Sequence, residues 1–276
     1  MLEIIKEIIV AIFLGIVQGA TEFLPISSTV HLGIASKLLG SDLGIYATNI
    51  ISLGTTVAVI QYFWKDIKAL FTQFKNFQMW LQLALATAPI IVMSLLFKDE
   101  IESVFRDFRY FGIFLILGAL LLAAAEWYHK RKAIDNVNLT TKDYIIIGLF
   151  QALAVFPGMS RSGSTLSGGL FIAKARASVV HASFFLSVPA FLLAGVYSLY
   201  QLKKASNPPH FLNSVADIGN LSIVSMLIGG GFAYITGIYA LRWLIPYLSR
   251  HSSKVFIAYR LGLGILLLLS SFLHFF

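Results

Sequence analysis

The chain of 276 residues contains no cysteine, and only 12% of its residues are charged. The absence of cysteine excludes disulfides, thiolate nucleophiles and cysteine-based metal sites. No HxxxH, DxD or EF-hand spacing is present, so the sequence does not indicate a metal cage built by the protein alone. No organic cofactor is expected.

The sequence also lacks the regular alternation of apolar and polar residues that membrane barrels have. Instead, 58% of its residues are hydrophobic and the mean hydropathy is +0.81, which is more apolar surface than a soluble core of this length requires. Six apolar runs have roughly the 20 residues that cross a bilayer as a helix: Leu43–Trp64, Met79–Phe97, Phe108–Trp127, Ala177–Tyr200, Leu221–Leu244 and Val255–Phe276. The composition predicts an all-α integral membrane protein with six transmembrane helices.

The net charge of +8 is typical of two kinds of protein, those that bind nucleic acid and those that carry basic loops at a membrane. No soluble domain is available to bind nucleic acid, so we expect the bilayer and no nucleic acid as a partner. Lys and Arg are more numerous on the side opposite the termini, which predicts a cell-membrane protein with both termini outside. A homodimer is left open.

Two further pairs of apolar segments are shorter or are interrupted by a proline. The pairs are Ile4–Leu24 with Thr29–Leu39, and Tyr144–Phe156 with Arg161–Ala173. Pro25 and Pro157 stop the first segment of each pair, because proline cannot continue a helix ladder. Irregular backbone at membrane depth is tolerated where protein or a water-filled cavity surrounds it. We therefore predict two re-entrant helix-loop-helix pairs, with the first opening to the outside.

The two pairs resemble each other in sequence. Gly15–Gln18 resembles Gly148–Gln151, and Pro25 aligns with Pro157, which places Ser28 on Ser160 and Thr29 on Arg161. A re-entrant pair plus three spans makes an odd number of crossings, so a second copy would be inverted. We predict one membrane domain, 1–276, built from an inverted-topology repeat. Its copies are 1–130, with the pair 4–39, and 140–276, with the pair 144–173.

The first proline is surrounded by residues that suit phosphate chemistry. Gln18 and Glu22 are four residues apart and share a helix face. Ser27, Ser28 and Thr29 stand where the next helix begins, and helix N-termini favour anions. His31, one turn later, could transfer a proton or attack phosphorus. The less specific explanation is that the serines only cap the helix and His31 only pairs with Glu22.

The second proline is followed by Arg161 between Ser160 and Ser162. The guanidinium offers a planar set of donors that matches phosphate oxygens. Gly158 and Gly163 leave room for the backbone to approach an anion. A snorkelling arginine is the alternative, but a position in mid-segment disfavours it. His181, near the start of a span, is a weaker candidate.

At these residues the chain resembles the undecaprenyl-pyrophosphate phosphatase family, which is associated with bacitracin resistance. Gly19–His31 is similar to the first family signature, and Pro157–Thr165 is similar to the second. The resemblance implies re-entrant pairs in inverted repeats. It also implies a membrane hydrolase that removes the terminal phosphate of a polyprenyl (undecaprenyl) diphosphate at the outer face. That reaction recycles the lipid carrier used in cell-wall peptidoglycan synthesis.

The functional residues that the resemblance implies are Glu22, Ser28, His31, Ser160 and Arg161. We expect Glu22, Ser28, His31 and Arg161 to be catalytic, and Gln18 to be secondary. The residues expected to bind the phosphate are Ser27, Thr29, Ser160, Arg161, Ser162, Gly163 and Thr165. The nucleophile is left open between His31, Ser28 and a water molecule for which His31 is the base.

The sequence departs from the family pattern at Gln18, Val30, Thr48, Ser52 and His181. Gln18 replaces a frequent glutamate and leaves one carboxylate fewer, so a divalent ion would be held more weakly. Mg²⁺ or Ca²⁺ carried by the phosphate and held partly by Glu22 is left open. The alternative function is a transporter or flippase for a phosphorylated lipid or another phosphate-containing anion, since broken helices in inverted repeats are typical of transporters.

Overall fold

The computed structural model of the chain describes residues 2–40, 45–72, 77–97, 108–205 and 222–273, and in these ranges the regular structure is helical. The α-helices are α1 (Leu2–Glu22), α2 (Ser28–Leu38), α3 (Ile45–Tyr62), α4 (Trp64–Thr72), α5 (Phe77–Leu96), α6 (Phe108–Lys132), α7 (Thr141–Ala152), α8 (Arg161–Phe171), α9 (Arg176–Phe185), α10 (Ser187–Ala205), α11 (Ile223–Arg250) and α12 (Lys254–Phe272). A 3₁₀ turn, Leu153–Val155, follows α7.

Six helical segments of the described chain are long and apolar enough to cross a membrane, so this is a multi-pass all-α membrane protein. Five of them correspond to predicted spans. The sixth is Ile4–Glu22, which the sequence assigned to a re-entrant pair although its 19 residues also suit a full crossing. The predicted span Leu43–Trp64 contains α3, which is not among the six. Polar residues within α3, such as Asn49, Ser52 and Thr55, lower its hydropathy.

The chain divides into two compact units. The first comprises Met1–Phe23, His31–Trp64 and Val188–Arg242, and the second comprises Leu24–Val30, Lys65–Ser187 and Trp243–Phe276. Each unit takes segments from both halves of the sequence. The predicted division at 130–140 is therefore not the division into compact units, and the repeat itself stays a prediction.

The first unit is held together by close helix contacts at glycines. A Cβ added at Gly15 of α1 would overlap the carbonyl group of Gly229 in α11, and one added at Gly54 of α3 would overlap that of Gly230. Small residues at such contacts let helices approach closely, which is how helices associate in lipid. Leu14 and Ile51 are fully buried beside these contacts.

The second unit contains the two short helices that follow the α6–α7 connection. Thr140 caps α7 and forms a capping box with Asp143, whose carboxylate also pairs with Lys174 at 2.6 Å. Pro157 interrupts the chain after α7, as predicted, and α8 begins at Arg161. Helix α12 packs along α6. The loop Leu24–Val30 belongs to this same unit.

Candidate functional site

Two serines with left-handed backbone mark the starts of the helices that follow the two prolines. Ser27 has φ 70° and immediately precedes α2, while Ser160 has φ 64° and is the N-cap of α8. Positive φ is unfavourable for any residue with a Cβ, and such strain is typical of functional sites. The two loops thus share a serine with positive φ immediately before a helix.

These conformations change the correspondence between the two loops by one residue. Aligning the prolines matched Ser28 with Ser160, whereas the backbone matches Ser27 with Ser160 and Ser28 with Arg161. The second loop is one residue longer between its proline and its left-handed serine, and it contains Gly158 with φ 106°. Ser28 and Arg161 are thus both the first residues of their helices.

The first turn of α8 is built around Ser160. Its hydroxyl accepts a hydrogen bond from the Gly163 N–H at 3.2 Å and lies 3.1 Å from the Ser162 hydroxyl. Ser160 and Ser162 are buried, and Arg161 is half-buried. This turn therefore presents backbone N–H groups, hydroxyls and a guanidinium at one helix N-terminus, a combination suited to an anion.

The loops after Pro25 and Pro157 contact each other directly within the second unit. The Ser162 hydroxyl donates to the Leu24 carbonyl at 2.9 Å, across 138 residues of sequence. Arg260 of α12 makes a second connection. Its Nη1 donates to the Pro25 carbonyl at 3.3 Å, and its Nη2 donates to those of Gly158 and Met159 at 3.1 and 2.9 Å.

Arg260 is not among the residues that the sequence marked as candidates for the site. It is fully buried, and the bulk of α12 continues beyond it. The sequence did contain a signal for it: Arg260 is the sixth residue of the predicted span Val255–Phe276, and an ionisable residue within a span is a candidate for function. The predicted orientation does not depend on Arg260, because Lys and Arg remain more numerous on the side opposite the termini without it.

Two residues predicted to bind phosphate have structural partners as well. The Thr165 hydroxyl is buried and donates to the Arg161 carbonyl at 3.0 Å, one turn back in α8. Gly163 faces Arg260, since a Cβ at this position would lie 2.7 Å from Nη1 of Arg260. Gly163 thus makes room for a guanidinium, and the phosphate contact of both residues stays a prediction.

The first unit contains the carboxylate expected to take part in catalysis. Gln18 is buried, and its Nε2 donates to Glu22 and to the Ser52 hydroxyl, both at 2.9 Å. Ser52 in turn donates to the Thr48 carbonyl at 2.8 Å. Three of the positions at which the sequence departs from the family pattern therefore form one hydrogen-bonded chain that ends on Glu22. His31 lies one turn after Ser28 on α2.

The residues around Glu22 fit a divalent ion only in part. The described residues contain no group of three or more His, Asp or Glu side chains placed to hold a metal. The Gln18 Oε1 atom is buried without a hydrogen-bond partner and is an oxygen donor of the kind that Mg²⁺ and Ca²⁺ accept. Glu22 and Gln18 could supply two ligands to an ion whose other ligands are phosphate oxygens and water.

His181 has a neighbour outside the two loops, Asp66. Its Nε2 is 3.4 Å from an Asp66 carboxylate oxygen. His181 lines two neighbouring hollows on the second unit, and Asp66 lines the smaller one. The larger, of about 460 Å³, is also lined by Gln82 and Tyr144. None of the residues of the two proline loops lines this hollow. The weak prediction that His181 approaches the site has no support in the structure.

These features define a multi-pass helical membrane protein with a polar centre made from two proline-broken loops. The chain belongs to the family described as "Bacitracin resistance protein BacA", whose model matches residues 11–266. It is similar to several bacterial proteins named undecaprenyl-diphosphatase. The identity is 39% over 274 residues with that of Chlorobium phaeobacteroides (strain BS1), covering 92% of this chain and 94% of the relative. It is 40% over 280 residues for Chlorobium phaeovibrioides, with coverages of 94% and 95%. It is 41% over 276 residues for Chlorobaculum tepidum, with coverages of 92% and 94%.

Proposed function

We propose that this protein hydrolyses undecaprenyl diphosphate to the monophosphate and inorganic phosphate. The names of its relatives and its membership in the family support this activity. The structural observation that supports it best is the pair of left-handed serines, Ser27 and Ser160, in loops that touch within one compact unit. Two helix N-termini beside Arg161 suit a substrate group that carries several negative charges.

In the reaction, the bond between the terminal phosphorus and the bridging oxygen breaks, and an oxygen from water is added to phosphorus. Arg161, the hydroxyls of Ser28 and Ser160 and the N–H groups of both helix starts hold the terminal phosphate. They stabilise the charge that develops on its oxygens and on the leaving monophosphate. Polyprenyl tails are apolar, so the tail lies among the membrane spans.

The proton chemistry is assigned to the first cluster. His31 either attacks phosphorus itself, or takes the proton from Ser28 or from water as one of these attacks. Glu22 orients His31 or helps to hold a cation. If a divalent ion is bound, it neutralises phosphate charge, and Glu22 and Gln18 are the residues that would hold it.

We further propose that the substrate enters from the outer face and that both termini are outside. The support is the distribution of Lys and Arg, which the positive-inside rule places toward the cytoplasm. On this orientation the first proline loop opens outward, toward the face at which the spent lipid carrier is released.

The experiment is phosphate release from polyprenyl diphosphates of several tail lengths by protein purified in detergent, where there is no membrane to cross. Wild-type protein is expected to release phosphate, which distinguishes an enzyme from a transporter. Arg161→Gln and His31→Ala should lose at least about a hundredfold in kcat/KM, the usual effect of removing one transition-state donor or a proton-transfer group. Arg131→Gln is the matched control, because Arg131 is exposed and stacks on Trp127.

Wild-type rates in both variants would show that the site is assigned wrongly. A single-turnover experiment quenched rapidly in denaturant at mildly alkaline pH, where phosphohistidine and phosphoserine both survive, then identifies the nucleophile. A phosphorylated His31 or Ser28 peptide would support covalent catalysis, and its absence from a quench made during turnover would favour water.

A further inference from the structure

We infer that Arg260 is the positioning residue of this site: its guanidinium holds the two proline loops in register by binding their backbone carbonyls. The kinetic part of this inference rests on the proposed phosphatase function. The structural part does not, since it concerns only the mutual position of the loops.

The contacts of Arg260 are unusual for a buried cation. The side chain is fully buried, yet it forms no ion pair with any carboxylate of the described residues. All three of its hydrogen bonds go to carbonyls, one from the first loop and two from the second. Burying an arginine without a carboxylate is costly, so the position indicates a role beyond packing.

The surroundings of the guanidinium are shaped to receive it. A Cβ at Gly118 of α6 would overlap Nη2, and one at Gly163 of α8 would lie 2.7 Å from Nη1. Binding both loops requires donors on two sides of one planar group, because Nη1 donates to the carbonyl of Pro25 and Nη2 donates to those of Gly158 and Met159. A lysine carries its N–H donors on a single nitrogen, so it cannot bind the carbonyls of both loops in this geometry.

The consequence for catalysis follows from where the carbonyls lie. The Met159 carbonyl belongs to the peptide unit just before Ser160, and the Pro25 carbonyl lies one peptide unit further from Ser27; the backbones of these two serines set the directions of the helix starts. A shift of about 1 Å in one set of donors costs roughly a hundredfold in rate when it misaligns them in the transition state. Ground-state binding depends less on such alignment. Arg260 therefore acts through the loops and need not touch the substrate.

The test uses Arg260→Lys and, as a second variant, Gly118→Ala, which keeps the charge but displaces the guanidinium from the Met159 carbonyl. The added Cβ would overlap Nη2 and lie 3.0 Å from that carbonyl oxygen. For both we expect kcat to fall at least about tenfold while KM changes by less than about threefold. Gly112→Ala is the control. It lies on the same helix and would press on Gly264 and Leu268 of α12 without touching Arg260. It should lower the melting temperature and leave kcat within about twofold of wild type.

Hydrogen exchange measured by mass spectrometry gives a readout that does not depend on activity. Arg260→Lys and Gly118→Ala should increase exchange in peptides covering both 24–30 and 157–163, with the start of α7 at 141–144 unchanged as an internal reference. A general loss of stability would raise exchange in all three.

The outcomes are separable. If wild-type protein releases no phosphate, the proposed function fails while the exchange result still decides the role of Arg260. If Arg260→Lys retains wild-type kcat and exchange, or if exchange rises everywhere, the positioning role is overturned. If Arg260→Lys does not fold, Gly118→Ala decides between the same results.

Discussion

Ser27 and Ser160 share a backbone conformation that most residues avoid, with φ angles of 70° and 64°. In each case the hydroxyl stands where a helix begins, so the residue combines an unfavourable φ with a favourable capping position. Glycine would relieve the first property and lose the second. The sequence could indicate the capping serines but not their φ angles, because a left-handed serine depends on what surrounds it.

At Ser160 the two contributions can be separated by substitution. Ser160→Ala should lower the free energy of unfolding by about 1 kcal/mol, because the cap to Gly163 is lost and the left-handed cost remains. Ser160→Gly should lower it less, because glycine adopts positive φ freely. Thermal unfolding in detergent measures both, and equal losses would contradict the strain argument. Both variants should lose phosphatase activity, since both lack the hydroxyl.

Gln18 places an amide where a second carboxylate would lie one turn from Glu22. Gln18→Glu adds an anionic oxygen ligand, and Mg²⁺ in phosphate sites is commonly held by one or two carboxylates. We expect the variant to be stimulated more by Mg²⁺, and inhibited more by a chelator, than the wild type. Gln61→Glu, at the exposed end of α3, is the control. Identical chelator curves for Gln18→Glu and wild type would exclude this account.

At the scale of the elements, one partly buried ion pair connects four helices of the second unit. Arg176 at the start of α9 binds Glu126 of α6 through both terminal nitrogens, at 2.9 and 2.7 Å. Arg176 also donates to the Leu248 carbonyl near the end of α11, and Glu126 accepts from the Ser253 N–H before α12. The two partners are 50 residues apart in the sequence, so local patterns could not predict the pair.

Breaking this pair should destabilise the protein without changing its chemistry. Glu126→Gln leaves the partly buried Arg176 with weaker partners, so the free energy of unfolding should fall by about 2 kcal/mol. Lys130→Gln, exposed one turn later on α6, should change it by less than about 0.5 kcal/mol. Chemical denaturation in detergent compares the two. Indistinguishable midpoints would mean that the pair contributes nothing.

The start of α7 predicts a dependence of stability on pH. Burial raises the pKa of Asp143, but hydrogen bonds from Lys174 and from the Thr140 N–H and hydroxyl outweigh burial, so the pKa is lowered overall. A lowered pKa in the folded state stabilises the fold above the unfolded value of about 3.9, and this stabilisation is lost as the pH falls further.

Asp143→Asn should therefore be less stable than wild type at pH 7, and the difference should shrink as the pH is lowered below about 4. Asp135→Asn, in the exposed α6–α7 connection, is the control and should follow the wild type. A stability difference that does not depend on pH would contradict the assignment of the effect to the Asp143 carboxylate.

The breaks at Pro25 and Pro157, and the starts of α2 and α8, were readable in the sequence because proline and serine act locally. The contacts between the loops were not readable. Ser162 and Leu24 are separated by 138 residues, and Arg260 and Pro25 by 235. Moreover, Arg260 binds carbonyl groups, which every residue type carries. Local signals thus predicted the helices of the site, and only tertiary packing determines how its loops meet.

At the scale of the whole molecule, a similar helix contact at a glycine occurs in each of the two units. Gly15 of α1 packs on α11 in the first unit, and Gly148 of α7 packs on Ala86 of α5 in the second. Helices α11 and α5 hold corresponding places in the two predicted copies. In both cases the first helix of one predicted copy packs on a helix of the other copy. The repeat itself stays a prediction.

The orientation in the membrane can be tested directly because the chain has no cysteine. Single cysteines replacing Leu38, at the end of α2, and Ile134, after α6, are both in exposed positions. We expect a membrane-impermeant maleimide to label Leu38→Cys in intact cells, and Ile134→Cys only after permeabilisation. The reverse pattern would invert the topology. Light scattering of the detergent-purified protein tests the homodimer, which stays a prediction.

Because Arg260 binds main-chain carbonyls, its contacts constrain the amino-acid sequence of the two loops less than side-chain contacts would. Side chains at Ile26 or Met159 can be exchanged without removing the groups that the guanidinium binds, because those groups belong to the main chain. The contact therefore leaves no pair of residues that must vary together. The distance between the two loops then depends on Arg260 and on the glycines that make room for it, and not on the side chains of the residues whose carbonyls it binds.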